Sequence, residues 1–425
     1  MLGGGRGGPA PGVTGRADGG LGRVDHGPAF RYRLGAAILV VAAGVPLLPR
    51  LLAFVQGADV GWDLKVVCSS LDALRAGLDP YRHSQPFPLP YPVLHLHLFA
   101  PLCAIGLARF VYASVFVLMA AASAVMLWRI VPATATDRLA VLAAVFLGLH
   151  GFPWEFATGN VAVIELPLAA ATVCLLAARR YRSAGAVFGA MASLKILPLV
   201  GAIAFLFVPA SGRRRMEAFA AAVGCFVSIH LLNAVVFARW LPSYVRQLVG
   251  RVPGGADYES GGLYNQNVVD LLTTIFGLLG LGGPVTGCAL ALLGLGAGWL
   301  VAVALSDHRG RDRIGPAARA SIVILVVWLF LFRQKPYAFA TFVPFLIAAG
   351  YGAGRAVATS TIVTSIVVPA ALRNGLWQAP VLGAYYQLLG AWAALAVLAV
   401  GLRLRWADRD ENVAQVADSH DGTPG

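Results

Sequence analysis

The sequence is dominated by apolar runs separated by short polar or arginine-rich segments. A bilayer core about 30 Å thick needs roughly 20 apolar helical residues to span it, and helices satisfy their own backbone groups in lipid. Only 12% of residues are charged, about half the share in soluble domains, so a soluble enzyme is excluded. The clearest runs cover 35–55, 110–131, 138–150, 161–178, 216–238, 285–305, 318–332, 337–353, 356–372 and 380–402.

Two polar tails flank the apolar region. Residues 1–33 are rich in glycine, proline and arginine, and residues 406–425 are polar. Neither segment holds enough apolar side chains to form a core, so both are predicted to be disordered cytoplasmic tails. The membrane domain then covers 34–405, and its first extracytoplasmic loop covers 57–92.

The arginines indicate how the chain crosses the membrane, because short arginine-rich loops stay on the cytoplasmic side. This rule is satisfied if 183–209, which is interrupted at Lys195, enters the membrane and returns as a hairpin of two short helices. The prediction is an all-α polytopic protein of the plasma membrane with about 12 crossings, in a range of about 10 to 13, and cytoplasmic termini. The main cytoplasmic arginine segments are 179–182, 213–215, 309–319 and 403–409.

The net charge of +13 belongs largely to these loops and tails. A nucleic-acid partner would need its basic residues gathered on one water-facing surface, so no nucleic acid is expected. The remaining polar segments fall on the extracytoplasmic face, and a polar site should assemble from them. They are 57–92, 151–160, 239–267, 333–337 and 373–379.

The first extracytoplasmic loop carries candidate acids next to the membrane. A carboxylate there is costly unless it is solvated or used. Asp63 is favoured over Asp59 as a general base, because apolar neighbours such as Trp62 and Val66 would desolvate it and raise its pKa. Lys65 would oppose that shift, and we expect Asp59 and Lys65 to contact substrate. The alternative is that a wet loop simply carries acids.

The loop also resembles a known family. Asp63 and Leu64, the segment 77–81 (GLDPY) and Tyr91-Pro92 resemble the opening loop of GT-C membrane glycosyltransferases, specifically glycosyltransferase family 87. Val67, Cys68 and Val93 depart from the family pattern. Four weaker segments follow in the family's order: Gly159-Asn160, 193–198 (SLKILP), 264–267 (YNQN) and 333–337 (RQKPY).

Physical chemistry suggests a role for each of these segments. Asn160 and the row Asn265, Gln266, Asn267 offer amide groups that suit sugar hydroxyls. The alternative for the row is an asparagine-rich turn that caps a helix beginning near Val268.

The basic turn suits an anion. Arg333 and Lys335, together with Tyr337, could hold the phosphate of a lipid donor, or the two cations could extend to lipid headgroups. Lys195 lies at the predicted hairpin tip. Its charge would cost free energy anywhere in the membrane except at an interface or a cavity, so we expect it to contact substrate. Glu155 is a further candidate for sugar binding.

No metal or other cofactor is predicted. His95 and His97 lack an accompanying acid set, and Asp59 with Asp63 supplies fewer oxygen ligands than a hard cation prefers. The five cysteines have no CxxC spacing, and an odd number cannot all pair within one chain. Neither a disulfide framework nor a zinc site is therefore expected.

The resemblance implies transfer of a sugar, mannose first and arabinofuranose next, from a polyprenyl phosphate to a glycolipid or lipoglycan. Asp63 would be the general base of an inverting reaction on the extracytoplasmic face. The partners expected are that donor, that acceptor and membrane lipids. The alternative from another class is a transporter or flippase of lipid-linked sugars, which would concentrate polar residues at the bilayer midplane.

Overall fold

The computed structural model describes residues 61–104, 108–252, 254–256, 265–305, 315–373 and 383–421. The predicted tail 1–33 and first span 35–55 lie outside these residues. The elements within them are helices, joined by turns. The α-helices are α1 (Trp62–Arg75), α2 (Val93–Ala104), α3 (Ala108–Leu127), α4 (Ala135–Leu147), α5 (Gly151–Thr158), α6 (Glu165–Ala177), α7 (Tyr181–Leu194), α8 (Gly212–Val236), α9 (Leu241–Gly250), α10 (Val268–Leu278), α11 (Gly283–Leu305), α12 (Pro316–Leu329), α13 (Phe339–Ala353), α14 (Arg355–Arg373) and α15 (Tyr386–Asp421).

Within the described ranges, six helical stretches are long and apolar enough to cross a membrane: Ala135–Thr158, Gly212–Val236, Gly283–Ala302, Pro336–Ala353, Arg355–Arg373 and Tyr386–Leu404. Shorter apolar helices accompany them: Val93–Cys103, Val111–Leu127, Glu165–Ala177, Leu197–Phe207, Val268–Leu278 and Pro316–Leu329. The protein is therefore the all-α polytopic membrane protein that the sequence predicts.

Helix α12 forms the centre of the bundle. It packs against α13, α6 and the segment Leu197–Phe207, and nearly all its residues are buried. A helix that is apolar on all sides belongs in the interior. The one indole here, Trp328, donates its N–H to the carbonyl of Pro198 at 3.1 Å, so its polar edge is satisfied.

Residues 181–207 form a helical hairpin, which corresponds to the one predicted over 183–209. After α7 the backbone becomes extended at Lys195, and a 3₁₀ helix, Leu197–Phe207, returns. The hydroxyl of Tyr181 donates to the carbonyl of Pro209 at 3.3 Å, so the two ends of the hairpin lie together and Lys195 lies at its tip.

Small residues allow α7 and α8 to pack closely. Gly185 and Gly189 face the backbone of Ala218 and Ala222, and a Cβ on either glycine would overlap a carbonyl oxygen of α8. Close approach of backbones through small residues is the usual basis of helix association in membranes. The hairpin is thus tightly fixed to α8.

Helix α1 and the loop that follows it contribute to a second, smaller core. It joins α1, α2 and α9 with the loop that contains Tyr81 and Tyr91. The rings of Tyr81 and Tyr244 lie with their centroids 5.5 Å apart, so α9 covers this loop. The buried members are Val66, Val67, Leu71, Tyr81, Leu89, Tyr91, Val93, Leu96, Phe99, Leu102 and Tyr244.

A disulfide joins α1 to α2. Cys68 and Cys103 are bonded, with their Cα atoms 5.4 Å apart, and Cys174, Cys225 and Cys288 are free. The expectation that no disulfide forms is therefore wrong. The packing of α1 on α2 brings these two cysteines together. They are 35 residues apart in the sequence, so no local spacing predicts the bond.

Two further expectations differ from the structure. Residues 151–160, predicted as an outer loop, begin with α5, which continues the span of α4 after a break at Leu149 and His150 (both φ 53°). This segment is largely buried because apolar residues such as Phe152 and Phe156 belong to the main core. The tail 406–425, predicted to be disordered, is helical as far as Asp421.

Candidate active site

Asp63 lies in the first turn of α1, where this helix meets the turn after α5. The N–H of Gly61 donates to the carbonyl of Ala157 at 3.0 Å. Gly61 and Gly159 have positive φ angles of 92° and 69°, and a Cβ on Gly159 would lie 2.7 Å from the Cα of Gly61. The two glycines therefore let the start of α1 rest directly on the turn.

The carboxylate of Asp63 is held by that turn. Asn160 Nδ2 donates to Asp63 Oδ2 at 2.7 Å, and Tyr91 Oη donates to Asn160 Oδ1 at 3.2 Å. Burial raises the pKa of Asp63 above its usual value, and hydrogen bonds from Asn160 and Thr158 and two lysine charges partly oppose that rise. A carboxyl with a raised pKa is better matched to general base catalysis near neutral pH.

A cavity of about 720 Å³ opens beside Asp63, and we call it the first cavity. Its walls combine a few polar groups with aromatic rings and prolines, which is typical of small-molecule sites. The lining residues are Trp62, Asp63, Val66, Pro86, Phe87, Pro88, Pro90, Trp154, Thr158, Gln247, Arg251, Arg333, Lys335, Pro336 and Tyr337.

Three cations of the first cavity, Arg251, Arg333 and Lys335, form what we call the basic cluster. Arg333 Nη1 donates to the carbonyl of Arg251 at 3.0 Å, which ties the turn after α12 to the end of α9. Burial lowers the pKa of Lys335 to about 8; Arg251 lowers it further and Asp63 opposes the shift. The cluster is suited to an anion.

A second cavity of about 370 Å³ borders the same cluster. Its walls are mostly apolar and come from α9, the end of α12 and the hairpin tip, including Ile196, Leu248 and Leu331. Both cavities are lined by the basic cluster and by Pro90 and Tyr337. An anion at the cluster could therefore place one substituent beside Asp63 and an apolar chain in the second cavity.

The predicted sugar-binding row has a supporting role instead. Asn265, Gln266 and Asn267 are buried and stand outside the walls of both cavities. Asn265 Oδ1 accepts from Gln334 N at 2.9 Å, and Gln266 N donates to Gln334 O at 2.7 Å. Asn267 caps α10 by accepting from Asp270 N at 2.9 Å. The capping alternative is thus confirmed for Asn267, and the row fixes the basic turn.

Lys195 lines the second cavity from the hairpin tip. Its ammonium lies 3.1 Å from Glu165 Oε1, and the two side chains are 20% and 2% exposed. It also lies 4.4 Å from the centroid of the Tyr337 ring, a cation–π distance. Lys195 therefore connects the hairpin to both α6 and the cavity wall.

Two predicted substrate contacts, Glu155 and Lys65, lie outside both cavities. Glu155 has a side chain that is 0% exposed, and neither Glu155 nor Lys65 lines a cavity. Lys65 is exposed on α1. These positions argue against substrate contact by either residue. Asp59 lies outside the described residues.

Sequence reasoning missed Trp62, Phe87, Gln247 and Arg251 as cavity residues. The amide oxygen of Gln247, oriented to satisfy both partners, accepts from Arg251 Nε and Nη2 at 3.0 and 2.8 Å. Their spacing of four residues places the two on one helix face. That signal indicates a shared surface, but only the fold shows that this surface faces Asp63.

Comparison with known proteins shows the family of this chain. Residues 89–332 match the model of glycosyltransferase family 87, which is more than half of the 425 residues. The protein is therefore a membrane glycosyltransferase. The chain belongs to glycosyltransferase family 87. A search of curated proteins finds none that matches.

Proposed function

We propose that this protein transfers a sugar from a polyprenyl phosphate donor to a glycolipid or lipoglycan acceptor on the extracytoplasmic face of the plasma membrane. One observation carries the proposal: Asp63 and the basic cluster line the same cavity, and an apolar cavity borders the cluster on another side. This arrangement matches a donor that consists of a sugar, a phosphate and a long apolar chain.

The donor is assigned by its three parts. The phosphate would bind Arg251, Arg333 and Lys335 through charge-assisted hydrogen bonds. Its sugar would occupy the first cavity, and its first isoprenoid units would occupy the second, where apolar burial favours them. The remaining isoprenoid units would extend from the second cavity into the membrane.

The reaction follows from these positions. Asp63 takes the proton of an acceptor hydroxyl, and the hydroxyl oxygen attacks the anomeric carbon. The bond from that carbon to the phosphate oxygen breaks with its electron pair, so the sugar is transferred with inversion. Negative charge grows on the leaving phosphate, where fixed cations stabilise it. Alignment of the two substrates should supply much of the acceleration.

The hairpin supports an extracytoplasmic site. Its two ends adjoin the arginine segments 179–182 and 213–215, which the positive-inside rule assigns to the cytoplasm. Its tip, Lys195, reaches Tyr337 in the cavity wall. The 14 residues of α7 rise about 21 Å at ~1.5 Å per residue, so tip and base are separated by most of a bilayer core.

The disulfide gives independent support for this face. Cys68 and Cys103 are bonded, and Cys68 lies on the same helix as Asp63. Disulfides persist in oxidising compartments and are rare in the cytosol. Helix α1 is therefore best placed outside the cytoplasm, where nucleotide sugars are scarce and lipid-linked donors serve instead.

The sugar rests on the family resemblance alone. That resemblance favours mannose, with arabinofuranose second, and it points to a membrane-anchored acceptor. Both donors share the phosphate and polyprenyl parts that we propose bind the basic cluster and the second cavity. The identity of the sugar is therefore the first question for experiment.

The test is sugar transfer by the purified protein in lipid nanodiscs with a mixed glycolipid extract as acceptor. Radiolabelled polyprenyl-phosphate mannose, polyprenyl-phosphate arabinofuranose and a nucleotide-linked mannose are compared. We expect labelled glycolipid from polyprenyl-phosphate mannose and none from the nucleotide sugar. Product from arabinofuranose alone would change the sugar but retain the donor class.

Failure of transfer would favour the transporter alternative. In that case, labelled lipid donor would move between the leaflets of proteoliposomes that contain the protein, without forming a new glycosidic bond. Transfer from the nucleotide sugar would contradict the proposed donor.

A further inference from the structure

We propose that the aromatic side chains Trp62 and Phe87 form a stacking platform for the terminal sugar of the acceptor. This inference rests on the proposed function and assigns the part of the first cavity that the donor does not need. The ligand class is a neutral saccharide with a free hydroxyl that faces Asp63.

Both rings are accessible at the surface of the molecule. Trp62 is 36% exposed and Phe87 is 55% exposed, and both line the first cavity. Trp154 lines it as well, and its indole N–H is bonded to the hydroxyl of Tyr386. Exposed aromatic rings that border a cavity mark binding surfaces more often than scattered apolar residues do.

The loop that carries Phe87 is held in place before any ligand binds. Gln85 N donates to Ser69 Oγ at 2.8 Å, and Ser69 Oγ donates to Gln85 O at 3.0 Å. On the other side, Arg251 Nη2 donates to the carbonyl of Pro88 at 3.2 Å. Phe87 is thus an exposed ring on an anchored loop.

Prolines and a buried leucine restrict the same loop further. Pro86, Pro88 and Pro90 fix their own φ angles, and Leu89 is fully buried with its N–H donating to Ser84 Oγ at 3.0 Å. A preorganised loop loses little conformational entropy when a ligand binds. The loop therefore suits a recognition role for its one exposed ring.

Sugars suit such rings for an electrostatic reason. The face of an aromatic ring carries partial negative charge, and one face of a pyranose presents C–H groups of partial positive charge. The polar edge of the same sugar remains available to Thr158 and Gln247, which also line the cavity. Exposed ring faces of this kind therefore suit a neutral saccharide better than an anionic ligand.

The position of the rings favours the acceptor sugar over the donor sugar. The residues that would hold the donor phosphate line both cavities, whereas Trp62 and Phe87 line only the first. Trp62 is also the immediate neighbour of Asp63. A monosaccharide has only about a dozen heavy atoms, fewer than the drug-sized ligands that pockets of this volume accommodate, so the first cavity has room for a second sugar.

The kinetic experiment compares Phe87→Ala, Trp62→Ala and Leu78→Ala, with octyl α-mannoside as the acceptor. Leu78 is 47% exposed in the same outer loop but lies outside both cavities, so Leu78→Ala is the matched control. We expect the acceptor KM to rise about tenfold in either aromatic variant. The donor KM of each aromatic variant should stay within about twofold of the wild-type value. Phe87→Tyr, which keeps an aromatic ring, should have the wild-type acceptor KM.

A binding experiment keeps the inference testable without turnover. Saturation-transfer difference NMR of methyl α-mannoside and methyl α-glucoside is recorded with the Asp63→Asn protein in nanodiscs and no donor. We expect signals from the sugars. These signals should weaken strongly when Phe87→Ala or Trp62→Ala is combined with Asp63→Asn in one protein, and they should persist when Leu78→Ala is combined with it. If the wild-type protein transfers nothing, these signals alone decide the inference.

Several outcomes would overturn it. The inference is wrong if Phe87→Ala and Leu78→Ala have the same acceptor KM. It is also wrong if the donor KM of the aromatic variants rises as much as their acceptor KM. Sugar signals that are absent, or that persist in both aromatic variants, would assign the two rings to the membrane interface instead.

Discussion

Asp63 and Asn160, which are 97 residues apart in the sequence, are joined by a hydrogen bond of 2.7 Å between Asn160 Nδ2 and Asp63 Oδ2. The bond links the outer helix α1 to the turn between two helices of the bundle. It fixes the carboxylate and stabilises its charged form. The proposed base is thus positioned by the membrane domain rather than by its own loop.

Removing this bond should impair the base and shift its titration. Without Asn160 the charged form of Asp63 loses a donor, so the pKa of Asp63 rises and the acid limb of kcat/KM moves to higher pH. A hydrogen bond to a charged group contributes about 1.5–3 kcal/mol, so Asn160→Ala should lower kcat/KM roughly 10–100-fold at pH 6.5. Transfer rates measured from pH 5 to 9 give both effects.

Thr274→Ala, on the exposed part of α10, is the control for this series and should leave the profile unchanged. An acid limb in Asn160→Ala that coincides with that of the wild type would separate Asn160 from the base.

Lys335 should set the alkaline limit of donor binding. Its pKa is lowered to about 8, so its positive charge is lost as pH rises through 8, and kcat/KM should fall there. Arginine stays charged throughout this range. Lys335→Arg should therefore keep its activity to at least about pH 9, and Lys335→Ala should bind donor weakly at every pH.

The measurement is the donor KM as a function of pH for the three proteins. An alkaline limb that is identical in wild type and Lys335→Arg would show that another group titrates there.

Gly159 should be intolerant of a side chain. It has a φ of +69°, and its Cβ would meet the Cα of Gly61 at 2.7 Å. Gly159→Ala should therefore displace the start of α1, lower stability by about 1–3 kcal/mol and reduce transfer more than tenfold. Gly224→Ala is the matched control, because Gly224 is helical with open space around its Cβ position. Thermal unfolding and transfer rate are measured for both; equal behaviour of the two variants would contradict the close contact.

The disulfide should be detectable and stabilising. In protein unfolded without reductant, iodoacetamide should modify the free thiols Cys174, Cys225 and Cys288 but neither Cys68 nor Cys103. Peptide mass spectrometry gives the modified sites. Replacing the bonded pair by serines should lower stability by about 3 kcal/mol, whereas Cys225→Ser should have little effect. Alkylation of Cys68 in the unreduced protein would remove both the bond and its support for an extracytoplasmic α1.

The sequence predicted those features of the site that carry a strong physical or family signal. The apolar runs predict an all-α membrane protein. A lysine between apolar residues, Lys195, predicts the tip of the hairpin. Asp63, Arg333 and Lys335 are candidates from sequence because a charged side chain beside a membrane costs free energy unless it is solvated or functional. In the structure all three line the first cavity.

The features that the sequence did not reveal depend on tertiary contacts. Asn265 has the same amide group whether it binds a sugar or the backbone of Gln334, and composition does not distinguish the two. The sequence predicts that 151–160 is a polar extracytoplasmic segment, yet apolar neighbours bury Glu155 in α5. Arg251 joins the cluster only because α9 packs over the outer loop.

The most direct test of the central claim is the transfer rate of Asp63→Asn in nanodiscs, measured with the donor that the wild-type protein uses. Asp72→Asn, on the exposed side of the same helix, is the control. General base catalysis contributes about 10²–10⁴-fold, so we expect Asp63→Asn to lose at least about 100-fold with unchanged thermal stability, and Asp72→Asn to retain the wild-type rate. An Asp63→Asn protein that transfers sugar at the rate of Asp72→Asn would contradict the account.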